Sequence, residues 1–379
     1  MLSASVNNPP PDVLKRALWS ILCGVSLRSQ DWGRSEGSCY TECPGSLGAD
    51  QKKRWGRKAD IFLSRTFGEM PGSASRISVI GNVNIDLLVW PAAELPPPGS
   101  ERHVESIGIR AAGSAGNSAL ALAHLGHVPH LVGCVGGDHF GQFVLQELAA
   151  AGIEGGVTVV PDEATGITIA FQAPRRDRSF LTLLGCLEAF GASMVPEEAL
   201  AKDFVLLCGY FTLPALRGDP TLELLERVRA AGGSTFFDSD WDPAGWTRES
   251  REEIAQILPL VDVFLPSEDE ARGLTGLDDP LAAARALQQA SGGRVVVKLG
   301  ASGCAAFGRG EEYRVSAPSV RVSDTTGAGD SFNGGLMYAL STGAEWPVAL
   351  RFATRLASTV VSRTSESRYP TLQEVIPPT

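Results

Sequence analysis

The segment VSDTTGAGDSFNGG places three small residues and a carboxylate directly before a helical pattern. Gly327, Ala328 and Gly329 precede Asp330, and residues 331–340 have helical spacing. Small residues let several backbone N–H groups surround an anion at a helix N-terminus, where the dipole also favours negative charge. Phosphoryl transfer needs such a cradle, together with a base that takes the proton of the acceptor hydroxyl. The motif therefore predicts a phosphate cradle over 327–329, with Asp330 as the general base.

A tight turn with Asp330 as a helix cap is the simpler interpretation of the same residues. Two other phosphate-binding motifs are absent from the sequence. There is no GxxxxGK[ST] P-loop, and the first predicted strand, ISVIGNVNIDLL, is not followed by the Gly-rich dinucleotide fingerprint. The secondary structure around the motif is needed to distinguish a phosphate cradle from a simple turn.

Apolar runs of strand length alternate with helical patterns from residue 76 onward. Examples are ISVIG before SAGNSALALAHLG, HLVGCVG before GQFVLQELAAAG, and FVLLCG before TLELLERVRAAGG. Such alternation is typical of a parallel sheet flanked by helices. The predicted fold class is α/β.

Two stretches, 101–111 and 165–184, interrupt this pattern because polar and apolar residues alternate in them with a period of two. The alternation predicts antiparallel strands with one solvated face. In the second stretch, APRRDR at 173–178 fits a hairpin tip between ITIAFQ and SFLTLL. Segments inserted into an α/β core often close over a ligand site, so we predict a small β-strand lid.

The composition of the 379 residues bounds the choice of partners. A net charge of −10 argues against nucleic acid, because phosphate backbones are bound by basic surfaces. Seven scattered cysteines form no CxxC pair, which indicates reduced thiols in a cytoplasmic protein rather than a zinc site. No apolar run approaches the ~18 residues that a membrane span requires, so no membrane contact is predicted.

Residues 1–74 differ from the remainder of the chain. They hold ten Lys/Arg against seven Asp/Glu and show no sustained period, which predicts a mostly disordered N-terminal extension. Met70 could itself start a chain of 310 residues, so the extension is interpreted as a start-site artefact; a regulatory arm that binds surfaces through basic residues and Trp55 is the alternative. Residues 75–379 are predicted to form the functional domain.

The segment DTTGAGDSFNGG resembles the C-terminal signature of the ribokinase-like, or PfkB, carbohydrate kinases. Upstream, GNVNIDLL, AAGSAGNSALALAHLG and GCVGGDHFGQ follow the family's order and spacing, so the resemblance covers about 76–379. It implies a doubly wound parallel sheet with a small β lid. It also implies ATP and Mg²⁺ as co-substrates and a sugar hydroxymethyl group as acceptor.

The resemblance also implies residues that bind the acceptor. Asn84 and Asp86, placed at the end of the first predicted strand, match positions that hydrogen-bond sugar hydroxyls. Gly113 and Asn117 match the family's Gly-rich sugar-binding turn, but Ser114 stands where ribokinase has a lysine. Ribose specificity is therefore not implied, and a strand-end turn followed by a helix cap is the structural alternative.

Metal sites are implied by two further matches. FLPSEDEARGL corresponds to the NxxE motif that organises Mg²⁺ and phosphate-bound water; Glu270 is retained, while Ser267 replaces the asparagine. An acidic first turn of a helix is the structural alternative. Asp324 and Thr326 match parts of a monovalent-cation loop, which implies K⁺ as an optional second cation.

Nucleotide contacts are implied by the segment VVVKLGASGC, which matches the strand and turn under the nucleotide. It supplies Lys298, Gly300 and Gly303 as candidate ATP contacts. Thr354 stands on the adenine-side helix where relatives often have asparagine, and the following SESRYP lacks the usual glycine-alanine turn.

The predicted activity is ATP-dependent phosphorylation of a sugar or sugar acid, similar to fructokinase or 2-keto-3-deoxygluconate kinase, because FFDSDWDPAGW and RSFLTLLG resemble those enzymes. A nucleoside kinase is the alternative enzyme. A catalytically weak sugar or nucleotide sensor is the alternative outside enzymes, suggested by Ser267 and the altered C-terminal turn. Arg110, Arg175 or Arg178 on the lid could contact an acceptor carboxylate, and the half-polar lid strands predict a homodimer through the lid.

Overall fold

The structure is a computed structural model that describes residues 76–92, 94–173, 178–364 and 367–376. The predicted N-terminal extension lies outside these residues. So do Arg175 and the centre of the predicted hairpin tip, 174–177. No helix in the described ranges is both long and apolar enough to cross a membrane.

The described residues form strands and helices that alternate along the chain. The strands are β1 Ile77–Gly81, β2 Asn84–Trp90, β3 Ser106–Ala112, β4 His130–Gly136, β5 Val157–Val160, β6 Ile167–Phe171, β7 Ser179–Leu183, β8 Phe204–Cys208, β9 Ser234–Asp238, β10 Val263–Phe264, β11 Arg294–Lys298, β12 Cys304–Gly308 and β13 Glu311–Val315. The helices are α1 Ser114–His124, α2 His139–Ala150, α3 Glu197–Leu200, α4 Asp219–Ala230, α5 Arg248–Ile257, α6 Glu268–Thr275, α7 Pro280–Ser291, α8 Ala328–Ser341, α9 Trp346–Val361 and α10 Leu372–Val375.

Nine strands form one central sheet in the order β13-β12-β11-β10-β9-β8-β1-β4-β5. The pairs from β11 to β5 in this order are parallel, whereas β12 and β13 are antiparallel at one edge. The five residues of β1, ISVIG, are all buried, as expected for a strand covered on both faces. The predicted α/β class with a parallel sheet is confirmed.

Helices cover both faces of this sheet and enclose two apolar cores. One core contains buried side chains of α1, α8 and α9. The other contains buried side chains of α4, α5, α6 and α7. This three-layer arrangement brings the carboxyl ends of the parallel strands to one edge, where ligands bind in open α/β folds.

A second sheet of four strands, in the order β3-β2-β6-β7, forms the lid. The antiparallel pairing of β6 with β7 confirms the predicted hairpin, and β3 confirms the strand predicted in 101–111. One prediction was wrong: Asn84 and Asp86 do not end the first strand, because β1 ends at Gly81 and Asn84 begins β2 of the lid. The break between β1 and β2 could not be recognised in the sequence because only Asn82 and Val83 separate the two apolar runs.

The two faces of the lid have opposite character. The register aligns Arg110 with Asp86, Asp86 with Thr168, and Thr168 with Thr182, so these four side chains share one face. The opposite face carries a row of apolar side chains, namely Ile109, Leu87, Ile169 and Leu181. Unlike the predicted solvated face, the polar row contacts the rest of the site, and the apolar row is partly exposed.

Candidate active site

Helix α8 begins at the predicted phosphate cradle. Gly327 caps the helix with φ 65°, a left-handed conformation that glycine adopts without strain. A Cβ added to Gly327 would lie 2.8 Å from Asn117 Nδ2, and one added to Gly329 would lie 3.3 Å from Lys298 Nζ. The first N–H groups of any helix lack an intrahelical acceptor, so the missing side chains leave this positive end accessible.

Asp330 lies in the first turn of α8 and is held by a chain of polar side chains. Asn117 Nδ2 donates a hydrogen bond of 2.8 Å to Asp330 Oδ2. The hydroxyl of Tyr369 donates in turn to Asn117 Oδ1 at 2.9 Å. Asn117 is buried, so its amide fixes the direction of the Asp330 carboxylate.

Two further aspartates stand beside Asp330. Oxygen atoms of Asp238, Asp240 and Asp330 all lie within 4.8 Å of one another. Asp238 ends β9 and accepts hydrogen bonds of 2.6 Å from both Lys298 Nζ and Asn333 Nδ2. Three clustered carboxylates are the oxygen donors that Mg²⁺ prefers, so this set fits a divalent cation.

Burial and mutual repulsion shift the acidic groups of this cluster. Burial, followed by the charge of Asp238, raises the pKa of Asp330 to about 7. The same two causes raise the pKa of Asp240 well above its usual value, although Ser114 Oγ donates a hydrogen bond to it. Burial lowers the pKa of Lys298, but the neighbouring Asp238 and Glu270 outweigh burial and raise it. A carboxylate with a pKa near 7 can exchange a proton at neutral pH.

Glu270 and Ser267 form a capping box at the start of α6. Glu270 Oε2 accepts from Ser267 N at 2.8 Å, and Glu270 N donates to Ser267 Oγ at 3.2 Å. The serine that replaces the family's asparagine therefore still caps the helix. Burial and the charge of Asp238 raise the pKa of Glu270 to about 7, which places its carboxyl within the electrostatic reach of the cluster.

A cavity of about 430 Å³ opens beside the start of α8. The four predicted nucleotide contacts all line it, namely Lys298, Gly300, Gly303 and Thr354. Ala328 and Gly329 line its edge, while Phe332, Val320 and Val361 add apolar wall. A cavity with one apolar wall and one helix N-terminus suits a planar base carrying phosphates.

The predicted acceptor residues lie on the other side of Asp330. A Cβ added to Gly113, which has φ 90°, would lie 2.5 Å from Asn84 Oδ1. Asn84 Nδ2 donates to Ile85 O at 3.1 Å and lies 3.4 Å from Thr168 Oγ1. Asn84 begins lid strand β2, while Gly113 and Asn117 follow lid strand β3 at the start of α1. Their role in binding the acceptor stays a prediction.

Asp86, the fourth predicted acceptor residue, is also part of an ionic cluster with Asp324. Arg110 donates to Asp86 Oδ2 at 3.3 Å and to Asp324 Oδ2 at 2.7 Å. Asp324 Oδ1 also accepts from Arg178 Nη1 at 3.2 Å and from Thr326 N at 2.9 Å. Burial raises the pKa of Asp324, but Arg110 outweighs it and the pKa falls to about 2. These contacts make Asp324 a counter-ion of Arg110 and Arg178. The binding of K⁺ by Asp324 and Thr326 stays a prediction.

Similarity to known proteins agrees with this arrangement of the site. A profile of the pfkB family of carbohydrate kinases matches residues 74–372. The chain belongs to this family.

Relatives of this pfkB carbohydrate kinase act on different acceptors. Ribokinase of Haemophilus influenzae is 27% identical over 309 residues, covering 79% of this chain and 97% of the relative. Aminoimidazole riboside kinase of Salmonella typhimurium is 29% identical over 287 residues, covering 73% and 84%. The 5-dehydro-2-deoxygluconokinase of Shouchella clausii is 27% identical over 317 residues, covering 80% and 95%.

Solved structures share the fold of the kinase. Arabidopsis thaliana ribokinase, complexed with ribose and ATP, superposes with a TM-score of 0.67 at 25% identity and covers 80% of this chain and 97% of its own. A ribokinase II from E. coli in complex with ATP and Mg²⁺ superposes with a TM-score of 0.69 at 24% identity, covering 79% and 97%. The recognised family and the doubly wound fold with a lid are thereby confirmed.

Several residues of the kinase site were not predicted from the sequence. Asp238 and Asp240 lie in FFDSDWDPAGW, which was used only as a whole-segment resemblance, although an aspartate at the end of a buried parallel strand is itself a signal. Asn333 follows Asp330 by three residues, a spacing that puts both on one helix face. Arg368 and Tyr369, in contrast, had no local signal, since only the tertiary fold brings them to Asn117 and Gly327.

Proposed function

We propose that this carbohydrate kinase transfers the γ-phosphoryl group of ATP to a hydroxyl, normally a primary one, of a sugar or sugar acid. The observation that carries the proposal is the position of Asp330. This carboxylate, with a pKa raised to about 7, begins the helix whose Ala328 and Gly329 line the cavity. Its other side is bonded to Asn117 of the predicted acceptor turn. A base between the two predicted substrates is what an in-line phosphoryl transfer requires.

Each predicted group has one task in this reaction. Asp330 takes the hydroxyl proton while the hydroxyl oxygen forms its bond to the γ-phosphorus, and the bond from that phosphorus to the β-phosphate oxygen breaks, so ADP leaves. The N–H groups at 327–329 stabilise the charge on the transferred group. Lys298 lines the cavity 2.6 Å from Asp238 and would bind phosphate oxygens.

Mg²⁺, when bound with ATP, would neutralise phosphate charge. Asp238 and Asp240 would hold it through their carboxylate oxygens, with Glu270 in electrostatic reach of Asp238, which would leave Asp330 to act as the base. The proposed sugar-binding groups are Asn84, Asp86, Gly113 and Asn117. Closure of the lid would exclude water and keep ATP from being hydrolysed without an acceptor.

We also propose that two copies associate through the lid. Ile109 on β3 is 44% exposed and Leu181 on β7 is 52% exposed; they lie at opposite edges of the apolar lid face, with Leu87 and Ile169 between them. A row of aliphatic side chains that reaches water at both edges is unusual for a monomer. A second lid would remove both from water.

The experiment that tests the proposed activity measures ADP release with ATP, Mg²⁺ and a panel of sugars, sugar acids and ribosides. Release that depends on a sugar or sugar acid supports the proposal. Release with ribosides alone replaces it with a nucleoside kinase. ATP binding without release on any acceptor replaces it with a sensor.

A further inference from the structure

Three arginines converge on Asp324 from separate parts of the chain. Arg110 comes from lid strand β3 and lies 2.7 Å from Asp324 Oδ2, while Arg178 directly precedes β7 and lies 3.2 Å from Oδ1. Arg368 comes from the segment between α9 and α10, and its Nη1 is 3.7 Å from Asp324 Oδ2. We call Arg110, Arg178 and Arg368 the arginine cluster. It joins the lid to the C-terminal segment at the acceptor side of the site.

The arginine cluster is buried and has few ion-pair partners. Among the described residues its three guanidinium groups form ion pairs with two carboxylates, Asp86 and Asp324, and the charge of Asp330 also reaches Arg368. Arg110 is only 8% exposed and Arg368 only 5%, so water screens these charges poorly. Buried charge that remains unpaired is unfavourable unless another ion completes the set.

Hydrogen-bond donors of the cluster are also unused. Nε, Nη1 and Nη2 of Arg368 and Nε of Arg110 are buried, and none of them has a hydrogen-bond partner among the described residues. A guanidinium group presents its donors in a planar fork that matches a carboxylate or a phosphate. Buried polar groups in proteins are normally paired, so four such donors in one place indicate a missing acceptor.

The unused donors lie next to the proposed base. A Cβ added to Gly327 would meet Arg368 Nη2 on one side and Asn117 Nδ2, at 2.8 Å, on another. That same Asn117 amide donates to Asp330. None of the three arginines lines the cavity assigned to the nucleotide. Because Asn117 belongs to the predicted acceptor turn and Arg110 to the lid, we assign an anion at this cluster to the acceptor.

We propose that the acceptor carries an anionic group, a carboxylate or a phosphate, which the buried donors of Arg368 and Arg110 bind while Asp324 keeps the cluster ordered. This inference rests on the proposed function, because it uses Asp330 to define the acceptor side. It makes the arginine cluster the specificity-determining part of the site. It also explains why lid strand β3 contributes a buried arginine where a lid over a neutral sugar needs none.

The test compares matched acceptors in the ADP-release assay. One pair is glucose and gluconate, a second is fructose and fructose 1-phosphate, and 2-keto-3-deoxygluconate is added as a sugar acid with a keto group. We expect kcat/KM for at least one anionic acceptor to exceed that of its neutral partner by about 100-fold or more. The carboxylate and phosphate arms identify which oxyanion is bound.

Variants connect this preference to the cluster. Arg368→Gln should lower the ratio of anionic to neutral kcat/KM by about 100-fold, mainly through KM, and Arg368→Lys should restore part of it. Arg314→Gln is the matched control, because Arg314 is exposed on β13 and bonded to Glu312. It should leave the ratio unchanged. If Arg368→Gln does not fold, the acceptor preference of the unmodified kinase and protection of its lid from proteolysis by the anionic acceptor still decide the question.

The two proposals fail in distinguishable ways. Efficient release with neutral sugars, no preference for any anionic partner and no change of ratio in Arg368→Gln would overturn the anionic acceptor and leave the kinase proposal intact. The cluster would then act only as an ionic latch of the lid. No acceptor-dependent release at all, with ATP still bound, would instead overturn the proposed function on which the inference rests.

Discussion

At Asp330 a single carboxylate lies beside two other aspartates, Asp238 and Asp240, and accepts a hydrogen bond from the Asn117 amide. Asp238 and burial raise its pKa, whereas the hydrogen bond from Asn117 lowers it, and the net result is a pKa of about 7. The charged form is therefore less stable in the folded protein than in the unfolded chain, where the pKa is about 3.9. This is a case in which function and stability make opposite demands on one side chain.

Asp330→Asn is predicted to stabilise the protein at pH 8. A group whose pKa is raised by folding contributes most stability below its unfolded pKa and loses that contribution as the pH rises through about 7. Asparagine cannot ionise, so the Tm of the variant should exceed that of the wild type by roughly 2–4 °C at pH 8. The difference should shrink as the pH falls from 7 to 4.

Thermal unfolding followed by circular dichroism at several pH values measures this difference. Asp278→Asn, at an exposed aspartate, is the control and should show no such trend. A Tm advantage for Asp330→Asn that is constant across pH, or a loss of Tm at pH 8, would show that Asp330 is not strained in the folded state.

Helix α6 shows how an element tolerates a departure from its family pattern. Ser267 and Glu270 bond to each other's backbone N–H groups, so the first turn keeps two donors satisfied without the family's asparagine. The change from asparagine to serine is therefore compatible with an intact helix start beside Lys298, whose backbone N–H bonds to Pro266. It does not argue for a catalytically weak sensor.

Ser267→Ala should remove this cap. We expect the free energy of unfolding to fall by about 1 kcal/mol, whereas Ser267→Asn should stay close to the wild type because asparagine is an equally good cap. Urea unfolding followed by tryptophan fluorescence measures both variants. Equal stability of Ser267→Ala and the wild type would mean that Glu270 alone holds the helix start.

At the scale of elements, the sequence pattern correctly predicted the helices and strands whose formation depends on neighbouring residues. The glycines before Asp330 and the helical run after it were sufficient to place the start of α8, and period-two alternation located β3, β6 and β7. Strand β2 was missed because it continues the apolar run of β1 and changes sheets within two residues. Which face of the lid meets the site could not be predicted either, because it depends on long-range pairs such as Arg110 with Asp324.

At the scale of the whole molecule, the lid is where this chain meets both its substrate and the solvent. Its polar row reaches the ionic cluster, while the outer face leaves Ile109 and Leu181 partly in water. We propose that the kinase domain spans 75–379, consistent with a family match that begins at residue 74 and a first strand at Ile77. The local pattern predicts that the lid strands have two unlike faces, but only the tertiary structure determines which face stays exposed for association.

If two copies associate through the apolar lid face, charged side chains introduced on that face should dissociate the dimer. Ile109→Glu combined with Leu181→Glu should convert the dimer to a monomer, because both carboxylates would be buried against a second apolar face. Sedimentation equilibrium of the full chain measures the mass. Val128→Glu is the control, since Val128 is 54% exposed in the loop between α1 and β4. A wild type that sediments as a monomer at all concentrations would contradict the proposed interface.

The central claim is that Asp330 is the base for acceptor-dependent phosphoryl transfer. Its most direct test is the rate of ADP release by Asp330→Asn at saturating ATP, Mg²⁺ and acceptor, with ATP affinity measured separately. We predict a loss of about 10²- to 10⁴-fold in kcat, with ATP affinity close to that of the wild type. A kcat within a few-fold of the wild type would contradict the assignment and require another residue to take the proton.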